Sequence, residues 1–122
     1  MDWEISFDEK ENILSVKTHG VMDTATHKAM IRDCLGVIKQ KSCRRWLIDN
    51  REITSQNIGT LDIHSIPQVF TDLGVPPSLR IAEVALKKYA GDFGFLETVC
   101  HNRGFTVSAF YDVESALQWL KQ

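Results

Sequence analysis

The chain is poor in the residues and runs that announce special chemistry. It has three cysteines, Cys34, Cys43 and Cys100, an odd number without CxxC spacing. That excludes a disulfide framework and predicts reduced thiols in a cytoplasmic protein. The histidines, His19, His27, His64 and His101, share no HxxH or HxxxH spacing, so no metal site is expected. Gly91-Asp92-Phe93-Gly94 lacks both the spacing and the Lys-Ser/Thr ending of a phosphate loop. There is no GxSxG elbow. No cofactor is implied. The formal net charge is −2 with no block of like charges, which gives no electrostatic support for nucleic acid or an anionic membrane. No apolar run approaches the roughly 18 residues of a spanning helix. The start, Met1-Asp2-Trp3-Glu4, has neither the basic nor the apolar region of a signal peptide. Repeats, low-complexity tracts and linkers are also missing.

What remains is an ordinary globular composition, 43% hydrophobic and 25% charged, over a length that predicts one domain spanning 1–122. The chain divides by periodicity. Trp3, Ile5 and Phe7 alternate with Glu4, Ser6 and Asp8, as a strand with one buried face does. Leu14 and Val16 repeat that alternation after a polar turn at 9–12, which predicts a hairpin. Asp23 or Thr24 caps a helix whose apolar face carries His27, Ile31, Cys34, Leu35 and Ile38. Trp46, Leu47 and Ile48, bounded by charges, read as a mid-sheet strand over about 45–49. A polar segment at 50–60 follows. Pro67 then starts a helix over 67–73 that Gly74 ends. A strand over 79–85, a helix over about 92–103 stopped by Gly104, a strand over 105–111 and a helix capped by Asp112 complete the chain.

The order is β-β-α-β-α-β-α-β-α, an α/β fold with a mixed five-stranded sheet and about four helices. Strands separated by helices pair in parallel through right-handed crossovers. Polar rows on several strands (Glu4, Ser6; Ser15, Lys17; Thr106, Ser108) predict helices mostly on one face and a partly open second face.

In such sheets, ligand and partner sites gather at the strand carboxyl ends. Asp49 and Arg51 occupy one, on the same side if the strand continues that far. They read as a surface ion pair, a loop brace or a ligand site. Thr54 and Ser55 lie in the loop beyond. Glu83, amid Leu79, Ile81, Ala82, Val84 and Ala85, is expected to reach the open face or pair with Arg45. Lys87-Lys88-Tyr89 reads as a solvated loop that could share a rim with Asp49 and Arg51. Asp92, Glu97 and Arg103 fit capping and helix-dipole roles. Cys100 adjoins His101 but falls on the buried stripe of its helix, so it reads as a packed thiol.

Four stretches carry a family resemblance: Trp46-Leu47-Ile48-Asp49-Asn50-Arg51, Leu61 to Pro67, Asp92 to Phe105, and Phe110 to Leu120. Together they make nearly the whole chain resemble the bacterial SpoIIAA-like (STAS/SEC14-type) family. The resemblance implies a small cytoplasmic α/β domain without a catalytic centre. Related STAS domains are anti-sigma-factor antagonists, switched by phosphorylation in the loop after the third strand, where an Asp-Ser-Ser-Gly-like motif is typical. The corresponding loop here, Asn50 to Gly59, lacks that motif. The SEC14-type branch implies an apolar ligand.

Two functions follow as expectations. One is a non-enzymatic regulatory module that docks a protein partner through Asp49, Arg51, Thr54 and Ser55. The other is a carrier or sensor of a small apolar ligand, with Phe70, Phe93, Phe95, Phe105 and Phe110 as either pocket or core. An enzyme ranks below both, because no activated nucleophile or acid–base pair emerges. Homodimerisation through the strands at 3–8 and 13–18 is a further expectation.

Overall fold

The computed structural model describes residues 2–53 and 62–122. Strands β1 (Trp3–Asp8) and β2 (Ile13–His19) form the expected antiparallel hairpin, with Trp3 opposite Thr18 and Asp8 opposite Ile13. Its turn is set by side chains: Asp8 Oδ1 accepts from the Glu11 N–H at 3.1 Å, and Asn12 takes the left-handed conformation at φ 55°. Helix α1 (Thr24–Lys41) starts where Asp23 Oδ1 accepts from the Thr26 N–H at 2.8 Å. It stops at Ser42, a left-handed residue at φ 51° whose N–H returns to the Ile38 and Lys39 carbonyls. The remaining elements are β3 (Arg45–Glu52), a 3-10 turn (Ile63–Ser65), α2 (Ile66–Leu73), β4 (Arg80–Val84), a 3-10 turn (Lys87–Tyr89), α3 (Ala90–Asn102), β5 (Thr106–Phe110) and α4 (Val113–Leu120).

The sheet is five-stranded in the order β1-β2-β3-β4-β5, antiparallel only at the β1–β2 pair. That order never reverses from β2 to β5. Right-handed crossovers that always step the same way keep their helices on the same side. The core shows it: Met30, Ile31 and Cys34 of α1, Val69 and Phe70 of α2, and Phe93, Leu96 and Cys100 of α3 pack with Leu14, Val16, Trp46, Ile48, Ile81 and Val107 of the sheet. Helix α4 follows the last strand, so no crossover constrains it. It covers the opposite face, where Ala116 and Leu120 pack on Ile13, Leu47, Ala82 and Val84. The expectation of helices mostly on one face thus holds for three of the four. Because α4 lies over β3 and β4, the described residues leave the β1–β2 half of the second face open.

Other expectations change in detail. Strand β3 continues to Glu52 instead of ending near Asp49, because β2 keeps pairing with it past a register shift, to His19 opposite Glu52. Helix α3 begins at Ala90, and the run Lys87-Lys88-Tyr89 is a 3-10 turn leading into it, not a plain loop. Glu97 does not serve its helix's dipole. Its Oε2 accepts from the Ala109 N–H on β5 at 2.7 Å. Arg103 donates to Gln68 Oε1 at 2.9 Å, tying α3 to α2.

Candidate functional site

Alternation along β3 sends Trp46, Ile48 and Asn50 toward α1–α3, and Leu47, Asp49 and Arg51 toward the other face. The last two meet there. Arg51 Nε and a terminal guanidinium nitrogen each reach one oxygen of the Asp49 carboxylate at 2.9 Å, and the Arg51 N–H adds a third bond at 3.1 Å. This is a bidentate fork, the strongest form of carboxylate pairing. Asp49 is only 6% exposed. Burial alone would push its carboxyl up, but the Arg51 bonds outweigh it and hold the group below the usual carboxylate range. The pair is therefore charged and preset, with Arg51 the more accessible partner.

Beside it, Lys17 of β2 and Glu52 form an exposed ion pair at 2.9 Å, and that bond raises the Lys17 ammonium. Glu4, Ser6, Ser15, Lys17, Asp49 and Arg51 line a cleft of about 460 Å³ on the open half of the sheet, closed on one side by Val113 at the start of α4. Two of the polar rows seen in the sequence, Glu4 with Ser6 and Ser15 with Lys17, are this cleft's floor, while Thr106 and Ser108 lie away from it on β5. Such a surface can take hydrogen bonds and charge from a partner without rearranging its own side chains.

A second polar group lies on the opposite face. Thr18 Oγ1 donates to Asn50 Oδ1 at 2.7 Å, and Asn50 Nδ2 donates to Glu83 Oε1 at 2.7 Å. Thr18, Asn50 and Glu83 sit at the carboxyl ends of β2, β3 and β4, on the face shared with α1–α3. Glu83 therefore neither reaches the open face nor pairs with Arg45, which donates to the Glu11 carbonyl. The reason is parity: Glu83 is two residues from Ile81 and pairs in register with Ile48, both in the helix-covered core. Burial at 3% exposure pushes its carboxyl up to about 7, against the opposing bond from Asn50. The signal in the sequence is a lone charge in an apolar strand. Nothing local links it to Asn50, 33 positions away.

The remaining candidates separate. Thr54 and Ser55 lie outside the described residues. Cys34 and Cys100 are buried, and burial pushes both thiols up to about 12, far from the thiolate range. Among the described residues, no cluster of His, Cys, Asp or Glu is arranged to hold a metal. No helix among them is long and apolar enough to cross a membrane. Phe70 meets Phe105 edge-to-face at 5.4 Å and Trp46 at 6.5 Å, with Phe93 buried in the same core. Phe110 packs against Trp119 at 5.6 Å on the α4 face, and Phe95 is exposed beside His64. Those rings pack on neighbours in separate places and do not converge on a common site.

No family model matches the chain, and a search of curated proteins found no match. In structural terms the chain is an α/β protein whose described residues form a mixed five-stranded sheet, four helices and a polar cleft on the half of one face that α4 leaves uncovered.

Proposed function

We propose that this protein is a non-enzymatic regulatory interaction module, similar to the STAS-type anti-sigma-factor antagonists, that docks a protein partner at the carboxyl end of β3. One observation carries the reading. The preset Asp49–Arg51 fork stands on the wall of an open polar cleft at that end of the sheet. A guanidinium held in this way keeps donor capacity for a partner's carboxylate or carbonyl, with little side-chain entropy left to lose. The segment that carries Thr54 and Ser55 follows directly in sequence, and in the domains this chain resembles the corresponding loop is the regulatory one. The apolar-ligand reading has less support, because Phe70, Phe93 and Phe105 are taken up in core packing.

The test is partner capture from the source cells, identification by mass spectrometry, and titration of that partner against purified variants. Arg51→Ala and Lys17→Ala are expected to weaken binding about tenfold or more, and Ser55→Asp to change it measurably. Arg51→Ala leaves Asp49 without its fork, so its fold is checked by circular dichroism. The Lys17 substitution removes neither partner of that fork. A partner that binds all three variants with the parent's affinity would place the docking surface elsewhere, and a lipid mass retained in native mass spectrometry would favour the carrier.

A further inference from the structure

The two edges of the sheet are treated differently. On β5, the backbone groups of Phe110 face β4, since the Phe110 carbonyl accepts from the Ala85 N–H at 2.9 Å. Alternation then turns the Ala109 N–H outward, where Glu97 occupies it at 2.7 Å. A side chain from α3 thus blocks that edge against another strand.

Among the described residues, strand β1 has no such cover. The His19 N–H donates to the Asp2 carbonyl at 2.9 Å, so residues 2 and 19 form a hydrogen-bonded pair. In an antiparallel ladder these pairs alternate with non-bonded ones. The β1–β2 register then turns the backbone of Glu4, Ser6 and Asp8 toward β2, and that of Trp3, Ile5 and Phe7 outward. The same three residues hold half-buried side chains against the α1 face, while Glu4, Ser6 and Asp8 are exposed. Outward backbone donors and acceptors thus coincide with an incompletely covered apolar row.

We infer that β1 is a self-association edge, pairing antiparallel with β1 of a second copy about Ile5. The occupant follows from self-complementarity. With Ile5 opposite Ile5 of the second copy, Trp3 falls opposite Phe7 and Phe7 opposite Trp3. Every outward-facing residue meets another outward-facing one, so the pairing is a complete hydrogen-bonding ladder. Side chains of such pairs share a face, so the two apolar rows close over each other beside the two α1 helices, as aromatic and β-branched cross-strand pairs. On the opposite face Glu4 meets Ser6, a charge against a small hydroxyl, and Asp8 meets Asp2 at the exposed ends of the ladder, where solvent and salt screen the like charges. The two sheets become one continuous sheet of ten strands, with both polar clefts on its same side. This assembly is independent of what docks in the clefts.

The test uses Ile5, whose N–H points away from β2. Ile5→Pro removes that outward donor while keeping the β1–β2 ladder, since proline is tolerated on an edge where its missing N–H faces solvent. The parent is expected to sediment as a dimer at tens of micromolar, and Ile5→Pro to weaken dimerisation about tenfold or more. Ile5→Cys is expected to form a symmetric intermolecular disulfide under mild oxidation, because hydrogen-bonded partners lie about 5.5 Å apart at Cα. The native thiols are buried and do not compete. Thr106→Cys, on the blocked edge, should not cross-link. A monomeric parent overturns the inference, as does a folded Ile5→Pro dimer of unchanged affinity. If Ile5→Pro fails to fold, the cross-link decides: a disulfide-linked dimer of the Ile5→Cys variant supports the edge, and its absence rejects it.

Discussion

Among single residues, two buried titratable groups pull the pH dependence of stability in opposite directions. Burial lowers His27 from 6.5 to about 4 and raises Glu83 from 4.5 to about 7. For His27 the folded value is the lower one, so acid favours the unfolded chain, and stability is lost as pH falls from 6.5 toward 4. For Glu83 the folded value is the higher one, so protonation favours the fold. Its contribution is full below about 4.5 and is lost as pH rises through about 7. The two offset each other over most of the range from about 4.5 to 6.5, and the parent's profile there should be flatter than either group alone would make it. Glu83→Gln removes one side. Relative to the parent, this variant is expected to gain on the order of 3 kcal/mol between about pH 4.5 and 7.5. Urea denaturation at several pH values measures it. Parallel curves for parent and variant would show that Glu83 ionises as freely folded as unfolded.

Among the elements, α1 contains a flaw that nothing in its packing requires. Gly36 is exposed in mid-helix, and a Cβ placed there would meet nothing within 4 Å. Gly36→Ala should therefore stabilise the protein by about 1 kcal/mol through helix propensity and unfolded-state entropy. Thermal melts check it, and an unchanged or lower midpoint would mean that the glycine is needed for something the fold alone does not show. Helix α4 is the opposite case. It is eight residues long, and its packing on Ile13, Leu47, Ala82 and Val84 is what holds it. Arg80 adds to this, with its guanidinium 4.3 Å from the Trp119 ring centre and a bond to the Trp119 carbonyl at 2.8 Å.

For the molecule as a whole, α4 is what makes this sheet three-layered on one half and open on the other. Leu120 is fully buried beneath it. Leu120→Ala should cost about 2–5 kcal/mol, the usual range for a core leucine. Truncation before Asp112 should do more, since the strip of β2, β3 and β4 beneath α4 would be bared. The expected signs are dye binding by exposed apolar surface and a broadened denaturant transition. A truncated chain that melts as sharply as the parent would show that α4 is an appendage and that the first core suffices. The open cleft is a product of this asymmetric coverage.

The succession of elements was legible along the chain, because alternation at 3–8 and 13–18 and helical spacing at 27–38 are local periods. Caps and stops were legible for the same reason: Asp23, Gly74 and Asp112 act on backbone groups within a few residues. So was the placing of Asp49 with Arg51, since two positions along one strand share a face. Relations between segments needed the folded chain. Strand parity read singly could not say toward which helices Glu83 points, and only its register against Ile48 put it in the core with Asn50 and Thr18. The length of β3 depended on how far β2 accompanies it. The covering of one sheet edge by Glu97, and the lack of such cover on the other among the described residues, depended on which strands came to be outermost. A period repeats every two or about 3.6 residues and can be read along the chain, whereas a face or an edge exists only once strands have neighbours.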